Sequence, residues 1–289
     1  VPLHPARCTV DAQAQGGAGV AGDVSYTRGS GSGGYGSHTL SATLEPGALP
    51  LSLGLDATQN TVDGVETSTQ LGVSASWRVS PVWSFAGHLS TANDELININ
   101  GRGLSLAWNL HKLWQGRRTT RLEVERSLYN YSLQYGLDAL NGRIPQQGRT
   151  RLDIRQGLSD ALEIYGAVEN YDYSLDPVDL ARALFNRKPR RVMVAGKLGD
   201  LLDHSQTVGL SWSMADAWNL DVSTSQSSTV VGQTLRAKSL AIGYMFHPRA
   251  SVTLVLSDSN SDDLAGPSGV VLVPSQSDST VELGLRWLF

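Results

Sequence analysis

The chain has no run of about 18 or more apolar residues, which is the length that a membrane-spanning helix needs. It therefore contains neither a transmembrane helix nor the apolar core of a signal peptide. A single cysteine, Cys8, excludes an internal disulfide. Charged residues are only 17% of the sequence and hydrophobic residues only 40%. A soluble surface normally carries more charge, and a helical membrane protein is far more apolar, so both classes fit poorly.

The sequence also lacks the features of several functional classes. Its net charge is −4 and its Lys and Arg residues form no cluster, which argues against nucleic acid as a partner. The six histidines have no zinc-ligand spacing and no clustered Cys or Asp neighbours. We therefore expect no metal and no cofactor.

What the sequence does have is alternation, and the last eleven residues, STVELGLRWLF, show it most clearly. Successive side chains of a strand point to opposite faces of the sheet, so these residues predict one apolar and one mixed face. The apolar face would carry Val281, Leu283, Leu285, Trp287 and Phe289, with Glu282, Gly284 and Arg286 opposite. This pattern is typical of the closing strand of an outer-membrane barrel, whose last aromatic residue lies in the membrane interface.

The same period of two recurs from about residue 19 onward. Short turns such as Ser80-Pro81 alternate with longer loops, predicted at 29–37, 59–66, 92–99, 226–235 and 259–278. All seven tryptophans lie beside the short turns, at one set of strand ends. An aromatic girdle is therefore predicted there, formed by Trp77, Trp83, Trp108, Trp114, Trp212, Trp218, Trp287 and Phe289.

On these residues the chain resembles a Gram-negative outer-membrane β-barrel over 19–289, with residues 1–18 as a disordered lead-in or linker. The resemblance implies an all-β, antiparallel transmembrane barrel with short periplasmic turns and longer extracellular loops. It also implies an outer-membrane location, with outer-membrane lipid and lipopolysaccharide as neighbours.

The number of strands depends on residues 119–138. Leu122 and Val124 are even-numbered, whereas Tyr129 and Tyr131 are odd-numbered, so the apolar face changes between residues 126 and 129. A tight hairpin at this point gives about sixteen strands, and a bulge gives fourteen. We favour sixteen, because the two flanking tryptophan turns fix the parity and single-chain bacterial barrels have an even number of strands.

One stretch, near 176–185, has helical rather than strand spacing. Asp176 suits an N-cap and Pro177 the first helical position. Sixteen strands would put this helix on the periplasmic side, and fourteen would put it outside. It is either a short surface helix in a loop or a plug at the mouth of the pore.

The alternation also predicts which side chains line the interior: Asp23, Asp56, Arg78, Arg121, Glu123, Glu125, Arg151, Asp153, Arg155, Glu163, Tyr165, Glu169, Arg191, Asp221, Glu282 and Arg286. One interpretation is a modestly acidic pore that favours cationic or polyhydroxylated solutes, with Tyr165 stacking on sugar rings. The alternative is that the charges pair between neighbouring strands and stabilise the wall, and that Tyr165 fills space.

Catalytic interpretations are weaker. Glu123 and Glu125 lie two residues apart on one face, a separation that suits a pair of glycosidase carboxylates, but nothing else suggests a sugar cleft. His204 and Ser205 are adjacent, so a strand would point them to opposite faces, unlike the pair of a barrel lipase. We therefore predict that the chain is not an enzyme.

Two groups of outer-membrane barrel are similar in size. General porins carry a long inward-folded third loop, and the corresponding loop near 92–99 is short. Exopolysaccharide-export porins, for poly-N-acetylglucosamine, cellulose and Pel in biofilms, are compact barrels that follow a periplasmic repeat region. The sequence resembles the second group in architecture only, with no signature motif. The expected function is passive export of a polysaccharide, together with periplasmic secretion partners. The alternatives are diffusion of small polar solutes, a filled structural or assembly barrel, and a hydrolase located at the rim.

Overall fold

The computed structural model describes residues 20–47, 49–94, 96–113, 118–133, 144–185, 196–198, 200–214, 217–265, 271–273 and 275–289. Within these residues, fourteen antiparallel strands form one closed barrel, and two further short strands form a separate hairpin. The barrel strands are β1 (Val20–Gly31), β2 (Tyr35–Pro46), β3 (Leu51–Val62), β4 (Val65–Arg78), β5 (Trp83–Asp94), β6 (Ile97–Asn109), β7 (Thr120–Leu133), β8 (Gln147–Gly157), β9 (Leu162–Tyr173), β10 (Leu202–Met214), β11 (Trp218–Thr229), β12 (Thr234–His247), β13 (Ala250–Ser261) and β16 (Ser277–Leu288). The hairpin consists of β14 (Leu264–Ala265) and β15 (Val271–Val273).

The barrel closes between its first and last strands. β16 lies between β13 and β1, and Val24 pairs with Trp287 across the closing seam. Two backbone hydrogen bonds of 3.0 and 3.1 Å join Gly22 and Phe289 beyond the end of the last strand. In β16 the exposed residues alternate with half-buried ones in the phase that the sequence predicts, so the all-β antiparallel barrel is confirmed.

The two ends of the barrel differ. We call the end that contains Val20 and Leu288 the turn end, and the opposite end the loop end. The connections of 13 and 28 residues that follow β7 and β9 are both at the loop end. Several loops predicted at that end are instead mostly strand. For example, β3 and β4 are joined by the two residues Asp63 and Gly64, both at positive φ. Polar residues on both faces of these strand ends conceal the alternation.

The preference for sixteen strands was wrong, because β7 is one continuous strand without a change of face. Its interior residues remain odd-numbered from Arg121 to Leu133, as the unbroken register with β6 shows. The apolar side chains change face instead of the backbone: Leu122 and Val124 point outward, whereas Tyr131 and Leu133 point inward into a small core at the loop end. The alternative of fourteen strands is correct.

The helix α1 (Pro177–Phe185) lies at the loop end, between β9 and β10, and not on the turn side that sixteen strands required. The carboxylate of Asp176 accepts a 2.8 Å hydrogen bond from the Val178 amide, as the N-cap prediction implied. No helix in the described part of the chain is long and apolar enough to cross a membrane.

A hydrophobic cluster, which we call the cap, joins α1 to the barrel. Its buried residues are Leu96, Leu133, Ile144 and Leu198, and Leu180 and Ala181 of α1 pack against them. The interior residues Ile97 and Tyr131 complete it. Because Ile97, Tyr131 and Leu133 face inward on β6 and β7, α1 lies against the inner face of the barrel mouth.

Candidate functional site

The interior face of the barrel contains nearly all the charged residues predicted to line it. Arg191 lies outside the described residues, and Arg78, although on the interior phase opposite Ser84, is exposed at the turn end of β4. The remainder fall on the interior phase of their strands, as the register between neighbours shows: Asp23, Asp56, Arg121, Glu123, Glu125, Arg151, Asp153, Arg155, Glu163, Tyr165, Glu169, Asp221, Glu282 and Arg286.

Most of these charges are concentrated on three adjacent strands. We call the interior face of β7, β8 and β9 the charged wall, and its charged residues are Arg121, Glu123, Glu125, Arg149, Arg151, Asp153, Arg155, Glu163 and Glu169. Arg151 pairs with Glu169 at 2.7 Å and also with Asp153. Arg155 pairs with Glu163 at 3.2 Å, and Arg121 with Glu123 at 2.8 Å. Each arginine therefore has an acidic partner within the same wall.

Arg149, which the sequence analysis overlooked, lies at the centre of the buried part of this wall. Its guanidinium pairs with Glu125 and lies 3.9 Å from Glu169 and 5.9 Å from the ring centre of Tyr129. Ser127, which is fully buried, donates a 2.5 Å hydrogen bond to Glu125. The odd numbering that Arg149 shares with Arg151 and Arg155 was the available signal.

Tyr165, for which sugar stacking and space filling were the two interpretations, is held against the wall. Tyr165 leans from β9 across Gly209 of β10 and donates a 2.8 Å hydrogen bond to Asp221 of β11. The Arg155 guanidinium carbon lies 5.2 Å from the centre of its ring. Tyr165 therefore bridges three strands, and its ring and hydroxyl are already engaged.

This arrangement over a glycine recurs around the barrel. A Cβ atom built on Gly72 would overlap Asp56, one on Gly29 would lie 3.1 Å from Glu282, and one on Gly101 would lie 3.0 Å from the Tyr129 ring. In each case a large interior side chain lies sideways across a glycine of the next strand. Its volume is therefore placed along the wall and not toward the barrel axis.

A second region of the interior contains almost no charge. We call the interior face of β10 to β13 the hydroxyl wall, because its hydroxyl-bearing residues are Ser205, Thr207, Ser211, Ser213, Ser223, Ser225, Ser227, Thr229, Ser239, Ser251, Thr253, Ser257, Ser259 and Ser261. Ser227 donates a 2.9 Å hydrogen bond to Ser205, and Ser257 donates a 3.4 Å bond to Ser239. Asp221, the acceptor for Tyr165, is the one charged residue on this wall among those described.

A second group of interior charges lies on the far side from the charged wall. Asp23 accepts hydrogen bonds of 3.1 Å from Arg286 across the closing seam. Within the described part of the chain, neither Asp56 nor Glu282 forms an ion pair. These two carboxylates therefore contribute uncompensated negative charge to the interior.

The outer face has the opposite character. Of the predicted girdle, Trp114 lies outside the described residues, and the others all project outward at the turn end: Trp77, Trp83, Trp108, Trp212, Trp218, Trp287 and Phe289. Trp83 and Trp108 pack edge to face, with ring centres 5.2 Å apart. Next to this ring, on the side toward the loop end, the outer face has many exposed Leu and Val residues. A membrane interface remains our interpretation of this ring.

The catalytic interpretations gain no support from the geometry. Glu123 and Glu125 are held by Arg121 and Arg149, and His204 points outward where Ser205 points inward. No group of three or more potential metal ligands occurs among the residues that the structure describes.

No protein-family model matches the sequence, and no curated protein matches it. Solved structures with a similar fold include a bacterial polysaccharide outer membrane secretin, with a TM-score of 0.53 and 9% identity over 93% of this chain and 98% of that chain. They also include the CymD monoaromatic hydrocarbon channel, with a TM-score of 0.53 and 10% identity over 93% of this chain and 88% of that one. At such low identity the similarity extends to the fold alone, which is that of outer-membrane channels.

Proposed function

We propose that the chain forms a passive channel in the outer membrane of a Gram-negative bacterium. The observation that carries this proposal is the contrast between an apolar outer face with an aromatic ring and an interior that carries most of the charged and hydroxyl side chains of the strands. Fourteen strands lie between the eight of a filled barrel and the sixteen to eighteen of a water-filled porin. Interior side chains that lie across glycines favour the open state.

The proposed cargo is a polysaccharide on its way out of the cell. The two structural relatives above are described as a polysaccharide secretin and a hydrocarbon channel, so the fold does not select the cargo. The interior does favour one class, because hydroxyl and amide groups exchange hydrogen bonds with sugars, and a hydrocarbon gains nothing from them. The second candidate is a diffusion porin for small polar solutes. It is favoured by the CymD structure, which has the same TM-score as the secretin and is described as a channel for a monoaromatic hydrocarbon, a small molecule.

Single-channel recording in a planar bilayer tests the channel. We expect the purified protein to give a large, steady conductance. The variant Ser223→Trp, which adds bulk to the interior of β11, should lower it, and the matched variant Val222→Trp on the outer face of the same strand should leave it unchanged. Absence of conductance would contradict the proposal, as would equal effects of the two variants.

The same recordings separate the two cargoes. Added soluble polysaccharide should reduce the current reversibly if the channel accepts a polymer. For a diffusion porin, the current should be insensitive to polymer, while small sugars should enter liposomes that contain the protein. Lipid hydrolysis by a non-conducting barrel would refute both.

A further inference from the structure

The charged wall and the hydroxyl wall offer different surfaces to a solute. In the charged wall, Arg151 binds both Glu169 and Asp153, so these groups already satisfy each other. In the hydroxyl wall, Ser223 and Ser257 lie among other small hydroxyl residues, with Ser239 between them on β12. A hydroxyl group both donates and accepts, so it can bind a sugar hydroxyl in several orientations.

The cap packs mainly on the strands of the charged wall. The Lys197 ammonium group, which precedes β10 in the chain, pairs with Asp94 at the loop end of β5. In the barrel order β5 lies four strands from β9, and α1 packs on Leu133 between them. The described part of the cap therefore packs on the sector of β5 to β9, which contains the charged wall. It reaches the hydroxyl wall only at the loop end, where the carbonyl of Leu201 accepts a 2.8 Å hydrogen bond from the Val230 amide.

The strength of individual contacts favours the hydroxyl wall as the path of the solute. A hydrogen bond between neutral groups contributes about 0.5–1.5 kcal/mol, and one to a charged group about 1.5–3 kcal/mol. Conduction requires sites that are weak and numerous, because strong sites retain the solute. The serines aligned across three neighbouring strands, Ser223, Ser239 and Ser257, meet that requirement. The arginines and carboxylates of the charged wall are already paired with one another, so they offer a passing solute few free groups.

We propose that the transported polymer passes along the hydroxyl wall and that it is an uncharged, polyhydroxylated chain. This inference rests on the proposed channel function and specifies its path and its substrate class. The charged wall is then a structural element that holds β7, β8 and β9 in register and supports the cap.

Cysteine protection tests the path. In a Cys8→Ser background, Ser223→Cys and Ser257→Cys place a thiol on the hydroxyl wall. Ser105→Cys makes the same change on the interior of β6, beside Glu125 of the charged wall. A methanethiosulfonate reagent then modifies each thiol, and the rate is read from the change in single-channel current. Maltoheptaose serves as the neutral probe, with oligogalacturonate and chitosan oligomers of similar length as the anionic and cationic probes.

At ten times the half-blocking concentration of maltoheptaose, modification should slow about tenfold at Ser223→Cys and Ser257→Cys, and by less than about twofold at Ser105→Cys. Protection at Ser105→Cys alone, or equally at all three, would overturn the proposed path. Tighter block by either charged oligomer, or no block by maltoheptaose, would overturn the neutral substrate while leaving the channel intact. Absence of current from every variant and from the parent would instead refute the channel itself.

Discussion

Gly209 is the position where one added methyl group should have the largest defined effect. A Cβ atom there would lie 2.7 Å from Cε2 of Tyr165 and still closer to the end of the ring, so the tyrosine must move. The variant Gly209→Ala should then lose the hydrogen bond to Asp221, a charged acceptor worth about 1.5–3 kcal/mol. It should also lose the contact with Arg155, worth about 0.5–1 kcal/mol.

Replacing glycine also lowers the conformational entropy of the unfolded chain, which stabilises the folded protein by about 0.4–1 kcal/mol. The net expectation is a loss of about 1–3 kcal/mol in the free energy of unfolding. Urea unfolding of the barrel in detergent or lipid, followed by tryptophan fluorescence, measures this quantity. The displaced ring should also lower single-channel conductance, because it no longer lies along the wall.

Two controls isolate the cause. Gly166→Ala makes the same change on the outer face of the neighbouring strand, where the nearest atoms would be 3.6 and 3.9 Å away, so it should be nearly neutral. In a Tyr165→Ala background, Gly209→Ala should cost little, because the ring it displaces is gone. If Gly209→Ala costs as much with Tyr165 removed as with it present, the wall contact is not the reason.

Three other perturbations follow from the same geometry. The double variant Asp56→Asn/Glu282→Gln removes two interior carboxylates that lack an ion pair among the described residues, so it should shift the zero-current potential in a salt gradient away from cation preference. An unchanged potential would count against their exposure to the pore. Leu133→Ala removes a buried side chain from the cap and should lower the free energy of unfolding by about 2–5 kcal/mol. The loss should be smaller for Leu104→Ala on the outer face, where lipid can fill the space. Equal losses would contradict a packed cap. Gly148→Ala displaces the exposed ion pair of Arg126 and Asp172 on the outer face, whose charged atoms are 2.5 Å apart. It should therefore lower the free energy of unfolding by no more than about 1 kcal/mol. A loss as large as that of Gly209→Ala would show that exposure is not what separates the two sites.

The last strand shows what the sequence was able to predict. From Val281 to Trp287 each apolar residue faces outward and each polar one inward, because this strand is flanked on both sides by other strands and its outer face is uniformly apolar. Where a strand has one apolar face along its whole length, the period of two is sufficient to assign every side chain.

β7 shows where that rule fails. Its inner face is charged toward the turn end and apolar toward the loop end, because Tyr131 and Leu133 pack beneath α1. The apolar face therefore changes although the backbone does not, and only the contact with a helix more than 40 residues later explains it. A pattern within one strand cannot contain that information.

The same distinction explains why the interior charges could be located but not interpreted from the sequence. Their phase follows from alternation, whereas their partners depend on which strands are neighbours and how far each is shifted. Glu169 is available to Arg151 because β8 and β9 pair in one register, and a shift of one residue would point one of them outward. That register turns most of a predicted acidic lining into paired charge, so the chemistry that remains for a passing solute is that of the serines and threonines and of carboxylates such as Asp56 and Glu282.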